Sequence, residues 1–176
     1  VGDAVSVGVG EDAEAEVRRI IYSLGFTGKE HLALADKLTC QPPRERFDRI
    51  VLDQKAECRE AYLRGLHRVI KSVRTLDGKV DAQFAAWQNA PTKRGRAQAF
   101  RAFRKLDGRL QATFPTFFFK HKVVQEITLV AENIHDKIQL SCRAITELER
   151  QEPSPQHLAV IEAEQRKISA LEEFVR

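Results

Sequence analysis

Side chains able to do chemistry are scattered along this sequence without converging. It has five histidines, His31, His67, His121, His135 and His157, and three cysteines, Cys40, Cys58 and Cys142. His121 and His135 fall on one helical face, yet 14 residues separate them by about 21 Å of helix rise. His135 and Cys142 stand about 10 Å apart on the same rise. No CxxC or HxxxH pair occurs, so the spacing that metal ligands need is missing. Cys58 lies among Glu57, Arg59 and Glu60 with no histidine within a helical turn, which reads as a helix-face thiol rather than a nucleophile. Asp36, Asp48, Asp53 and Glu126 alternate with Lys and Arg at helical spacing and read as solvated ion pairs, not as acid–base couples. Gly8-Val9-Gly10-Glu11-Asp12-Ala13 fits a loose dinucleotide fingerprint, but it puts two carboxylates where a pyrophosphate would sit and no βαβ unit follows. Gly25-Phe26-Thr27-Gly28 has the outline of an RNA-clamping loop without the basic residues between its glycines. A helix stop followed by a helix start accounts for both glycines. These residues predict no catalysis, no cofactor and no bound metal.

Charge is the more informative signal. Residues 1–16 contain Asp3, Glu11, Asp12, Glu14 and Glu16 and no Lys or Arg, whereas residues 93–122 hold nine Lys or Arg against Asp107 alone. On a helix at 100° per residue, Arg94, Arg101, Lys105 and Arg109 cluster within about 80° of one another, while Ala99, Phe103, Leu106 and Leu110 fall opposite. With Arg104, these are the candidate contact residues: one face packs, the other offers a cationic stripe about 20 Å long. Such a stripe suits phosphates of a nucleic-acid backbone or an acidic protein, with contacts to backbone rather than to bases.

The elements that must position this stripe are helices. With nine Gly and six Pro in 176 residues, the apolar positions follow a three-and-four rhythm, which predicts an all-α, elongated helical bundle with long antiparallel, coiled-coil-like helices. Residues 1–10 read as a flexible tail and 11–176 as a single helical domain. A first helix is expected from Asp12 to Leu24, with Val17, Ile20, Ile21 and Leu24 on one face and Gly25 as its stop. Thr27 and Glu30 have capping-box spacing for the next. Pro42-Pro43 breaks the chain. A long helix from about Asp53 carries Leu66, Val73, Leu76, Val80, Phe84 and Trp87, and Asn89-Ala90-Pro91 ends it. Thr92 caps the helix bearing the stripe. A second long helix carries Phe118, Val124, Ile127, Ile134, Ile138, Ile145 and Leu148. Ser154 caps a last one, with Leu158, Ile161, Ile168, Leu171 and Val175 inward. Phe47, Leu66, Phe84, Trp87, Phe103, Phe118, Ile127 and Ile134 are expected to hold the helices together. A charged fraction of 31%, with no stretch near the ~18 apolar residues of a membrane span, excludes a membrane protein. Three scattered cysteines point to a reducing cytoplasm. The absence of Met and the end at Arg176 inside a helical pattern predict a segment of a longer protein.

Two stretches carry a resemblance. RERFDRIVLDQKAECREAYLR at 44–64 and FPTFFFKHKVVQEITLVAENIHDKI at 114–138 resemble the variable helical insertion between conserved regions 1.2 and 2 of primary (housekeeping) sigma factors of bacterial RNA polymerase. EAEVRRIIYSLGF at 14–26 is similar to the helix leaving region 1.2, and LEEFVR at 171–176 to the approach to region 2.1. The likeness runs in order through residues 11–176. It implies a non-catalytic, cytoplasmic transcription-initiation module. Its partner would be core RNA polymerase, through the β′ subunit, and its second contact the backbone of promoter DNA upstream of the −10 element. The tail GDAVSVGVGED departs from the family pattern, and the promoter-melting aromatics would follow Arg176, so no promoter-reading residue carries over. Set beside this is a structural helical-bundle adaptor that binds an acidic protein partner through the same stripe.

Overall fold

The computed structural model describes residues 3–152 and 154–175. Seven α-helices follow in order: α1 (Asp3–Tyr22), α2 (Thr27–Thr39), α3 (Phe47–Ile50), α4 (Arg59–Gln88), α5 (Lys93–Gln111), α6 (His121–Glu149) and α7 (Pro155–Val175). Single 3-10 turns lie at Asp53–Lys55 and Phe114–Phe117. Among the described residues there is no strand, only one antiparallel bridge between Val51 and Phe119. The all-α expectation holds.

Two long hairpins dominate. α4 and α5 are joined across residues 89–92, and their register is antiparallel, since Gln83 Nε2 donates to the Ala99 carbonyl near the turn while Arg68 and Lys71 share a groove with Arg109 far from it. α6 and α7 pair likewise, with Ser141 Oγ donating to Glu164 at 2.6 Å. Hydroxyl caps start both returning strokes: the Gly95 amide donates to Thr92 Oγ1 and the His157 amide to Ser154 Oγ. Each cap satisfies an amide that the first helical turn leaves without an intrahelical acceptor.

Several boundaries depart from expectation. α1 begins at Asp3, not at Asp12, so residues 3–10 belong to a helix rather than to a loose tail. No proline interrupts that stretch, and its glycines cost the helix about 1 kcal/mol each relative to Ala without breaking it. Val17 and Ile20, expected inward, are exposed, and only Ile21 of that face is buried. Thr27 forms no capping box; its hydroxyl donates to the Ile21 carbonyl at 2.6 Å, tying α2 to α1. Gly25 is no left-handed stop; its amide donates to the Val175 carbonyl at 2.7 Å, where α7 returns to the start of α2. Gly28 is a close approach of α2 to α4, for a Cβ there would sit 3.1 Å from the Asp77 carboxylate. α4 starts at Arg59, six residues after the expected Asp53, and runs through Gly78 unbroken.

The core lies where the helical roots meet. Phe26, Phe114 and Phe117 are almost fully buried, with Ile50, Val51, Val73, Val80, Val123 and Ile127 around them. The buried His31 ring joins this cluster: its centroid is 4.8 Å from Phe114, 5.2 Å from Phe117 and 5.5 Å from Phe119. Its Nδ1–H donates to the Thr27 carbonyl at 2.8 Å. Burial pulls its pKa down to about 4 against the small opposing effect of that hydrogen bond, so the ring is neutral at pH 7. Of the expected core residues, Phe47, Leu66, Ile127 and Ile134 are buried and Phe84, Trp87 and Phe103 are half-buried. Phe118 is half-buried too, but it precedes α6 and is not part of the second long helix as expected. It ends the turn Phe114–Phe117 at φ 51°, a left-handed conformation uncommon for a non-glycine residue. Its ring lies partly exposed under Lys55 Nζ, 3.9 Å from the centroid.

Candidate functional site

The stripe predicted on α5 forms as a continuous exposed face. Pro91 and the Thr92 cap set the helix start, and Gly95 leaves room for that cap, since a Cβ there would come within 3.0 Å of Thr92 Oγ1. Leu110 is buried, and Ala99, Phe103 and Leu106 are half-buried toward α4, as their spacing requires. Arg94, Arg101, Arg104, Lys105 and Arg109 are all exposed.

Two features separate this face from an ordinary solvated helix. Several cations on other elements are answered: Arg74 pairs with Asp36 at 2.9 Å, Lys120 with Asp53 at 2.7 Å, and Arg49 with both Glu45 and Glu126. Among the described residues, no Lys or Arg of α5 makes an ion pair. The one carboxylate of α5, Asp107, is buried at the helix interface and accepts from Gln111 Nε2 at 2.8 Å. Burial raises its pKa, while the Gln111 hydrogen bond and the Arg104 charge act in the opposite direction. The second feature is placement. Lys93, Arg94 and Arg96 stand at the N-terminal end of α5, where the helix dipole disfavours cations, and no acid occupies the first turn. Helix stability alone would not select this arrangement.

The structure adds a wall that spacing on α5 alone did not show. An open groove of about 410 Å³ runs between the two helices, lined by Arg68, Lys71, Ser72, Thr75, Leu76 and Lys79 of α4 and by Arg109 of α5. The residues 68, 71, 72, 75 and 79 recur at helical spacing away from the apolar seam of α4, a signal present in the sequence but merged there with alternating ion-pair faces.

The histidines and cysteines do not gather. All three cysteines are unpaired thiols, and among the described residues no group of three His, Cys, Asp or Glu could hold a metal ion. The fingerprint-like Gly8–Ala13 lies within α1 rather than in a strand-to-helix turn. Among the described residues, no helix is long and apolar enough to cross a membrane. The molecule defined so far is an all-α protein whose α4–α5 hairpin presents an exposed cationic face. The chain matches no protein-family model and no solved structure.

Proposed function

We propose that this chain is the helical insertion of a bacterial primary sigma factor, a non-catalytic cytoplasmic module that docks on core RNA polymerase through the β′ subunit and on the backbone of upstream promoter DNA. The exposed face of Arg94, Arg101, Arg104, Lys105 and Arg109 supports this reading, because among the described residues none of these side chains makes an ion pair and all sit on a helix packed against α4. The two sequence stretches that bear the resemblance also form one unit of the fold. Val51 bridges to Phe119, the Leu52 amide donates to the Phe118 carbonyl at 2.9 Å, and the Lys120 amide donates to the Ile50 carbonyl at 2.8 Å. Tyr62 Oη donates to the Phe117 carbonyl at 2.6 Å, closing the same junction from α4. Residues far apart in sequence thus build the root from which the cationic hairpin projects.

The test is a pull-down of core RNA polymerase with the wild-type chain and with Arg101→Glu/Lys105→Glu. Reversing two exposed charges leaves the helical packing untouched, so the expected outcome is an unchanged thermal melt with polymerase capture reduced at least tenfold. Capture at the wild-type level by the double variant, or no capture by the wild type, would reject the assignment.

A further inference from the structure

We infer that the groove between α4 and α5 is a clamp for the phosphodiester backbone of duplex DNA, engaged without regard to base sequence. The inference deepens the proposed function and rests on it only in choosing DNA over RNA. Four cations on two helices line the groove, Arg68, Lys71 and Lys79 on one wall and Arg109 on the other, and no carboxylate is among its lining residues. The acids of α4 nearest to it in sequence are held elsewhere: Asp77 is buried and both it and Asp81 face Lys29 of α2, at 3.5 Å and 3.3 Å. Asp36 of α2, which lines the adjoining groove with Lys71 and Thr75, is engaged by Arg74 at 2.9 Å. An anion entering here meets four cations and no carboxylate among the lining residues.

The lining also decides between kinds of polyanion. A protein partner is normally held by large apolar or aromatic anchors in desolvated pockets, and a membrane surface requires an apolar face beneath the charges. This groove supplies one half-buried side chain, Leu76. A phosphate backbone needs only cations at intervals and hydrogen-bond donors. Arg68 to Lys79 spans about 16 Å of helix, the axial length of about five phosphates on one strand. Ser72 provides a hydroxyl donor within this row. Thr75 uses its own proton on the Lys71 carbonyl at 2.9 Å, which leaves its oxygen an acceptor. Arg109 and the exposed stripe of α5 then continue the same positive surface around the hairpin.

The experiment is a salt titration of duplex binding by fluorescence anisotropy. It uses the whole chain and two DNA duplexes of unrelated sequence, with an RNA duplex alongside. The expected wild-type result is equal affinity for both DNA sequences, falling with log salt at a slope of about −4 for four contacts. Lys71→Glu/Lys79→Glu on α4 should weaken DNA binding at least tenfold and flatten the slope by about two, with an unchanged melt and undiminished polymerase capture. The neutral pair Lys71→Gln/Lys79→Gln should flatten the slope similarly with a smaller loss of affinity. Wild-type DNA affinity in both α4 pairs would overturn the clamp, while the Arg101→Glu/Lys105→Glu pull-down separately decides the polymerase reading. Absence of duplex binding even at low salt would overturn it in favour of an acidic protein, and tighter binding of the RNA duplex would overturn the choice of DNA.

Discussion

The two hairpins have one design and opposite characters. Helices α4 and α5 together carry 13 Lys or Arg against 4 Asp or Glu, whereas α6 and α7 carry 5 against 9. The basic hairpin is tied down along its length. Leu66, Ile70, Val73 and Val80 of α4 are buried toward the core, and Phe84, Trp87, Phe100 and Phe103 pack near its turn with ring centroids 5.0 to 6.3 Å apart. The acidic hairpin is anchored chiefly at its ends. Val123, Val124, Ile127 and Ile134 are buried near the root of α6, α7 contributes no buried residue, and Leu129, Leu140 and Leu158 are exposed. What holds α7 is a seam of half-buried Ile161, Ile168, Leu171 and Val175, the last two against the core, together with a polar lock, Ser141 to Glu164 to Lys167, and a return contact in which Phe174 stacks on Phe26 at 5.4 Å. Heptad-like spacing alone therefore does not set how firmly a hairpin is held. Burial of one of its faces against a third element does.

The sharpest way to break this comparison is to remove a side chain from the shared root and one from the free hairpin. Phe117 is fully buried where its turn meets α2 and α4, and Phe117→Ala should cost about 3–5 kcal/mol through lost transfer energy and a residual cavity. Leu158→Ala on α7 removes a side chain that is 55% exposed, and its cost should stay within about 0.5 kcal/mol. Urea denaturation measures both. Comparable losses would mean that α7 is packed far more tightly than described.

A second effect acts on the root through pH. His31 has a pKa of about 4 in the fold, against about 6.5 in an unfolded chain. The unfolded state therefore takes up a proton first as pH falls. Stability is fully present above about pH 6.5 and lost progressively toward pH 4, by roughly 3 kcal/mol in all. His31→Phe keeps a ring among Phe114, Phe117 and Phe119 but cannot titrate. Its melting temperature should start lower, for want of the Thr27 hydrogen bond, and decline less between pH 6.5 and 4.5. An equal decline in both proteins would assign the acid sensitivity to other groups.

This root is also where the sequence was least legible. The hairpins, the caps at Thr92 and Ser154 and the stripe on α5 are local or periodic features, and each could be read from spacing. Phe26, Phe114 and Phe117 lie in a turn and a short irregular segment where no period exists, so their burial comes from the meeting of α2, α4 and α6 and from nothing in their own neighbourhood. The same absence of a period put Phe118 on the second long helix, whereas it lies ahead of α6 with a positive φ. Thr27 had the right spacing for a capping box, yet a tertiary acceptor, the Ile21 carbonyl, took its hydroxyl. The α4 wall of the groove stayed hidden because Arg68, Lys71 and Lys79 gain meaning only when Arg109 is brought opposite them.

The smallest expected effect tests the comparison most finely. Thr92 and Ser154 make the same bond, a side-chain oxygen accepting from the amide three residues on, at 3.0 and 3.1 Å. Thr92→Ala and Ser154→Ala should each cost about 1 kcal/mol locally. If α5 unfolds only with the core, the Thr92 loss will appear in the global unfolding free energy. If α7 opens by itself, the Ser154 loss will leave global unfolding almost unchanged and will instead speed amide hydrogen exchange along α7 by about fivefold, the factor that 1 kcal/mol gives. Faster exchange in α5 at constant global stability, or the reverse in α7, would exchange the roles assigned to the two hairpins. A hairpin that opens alone could not hold a cationic face in register, so this measurement also bears on why the charges sit on α4 and α5 rather than on the looser pair.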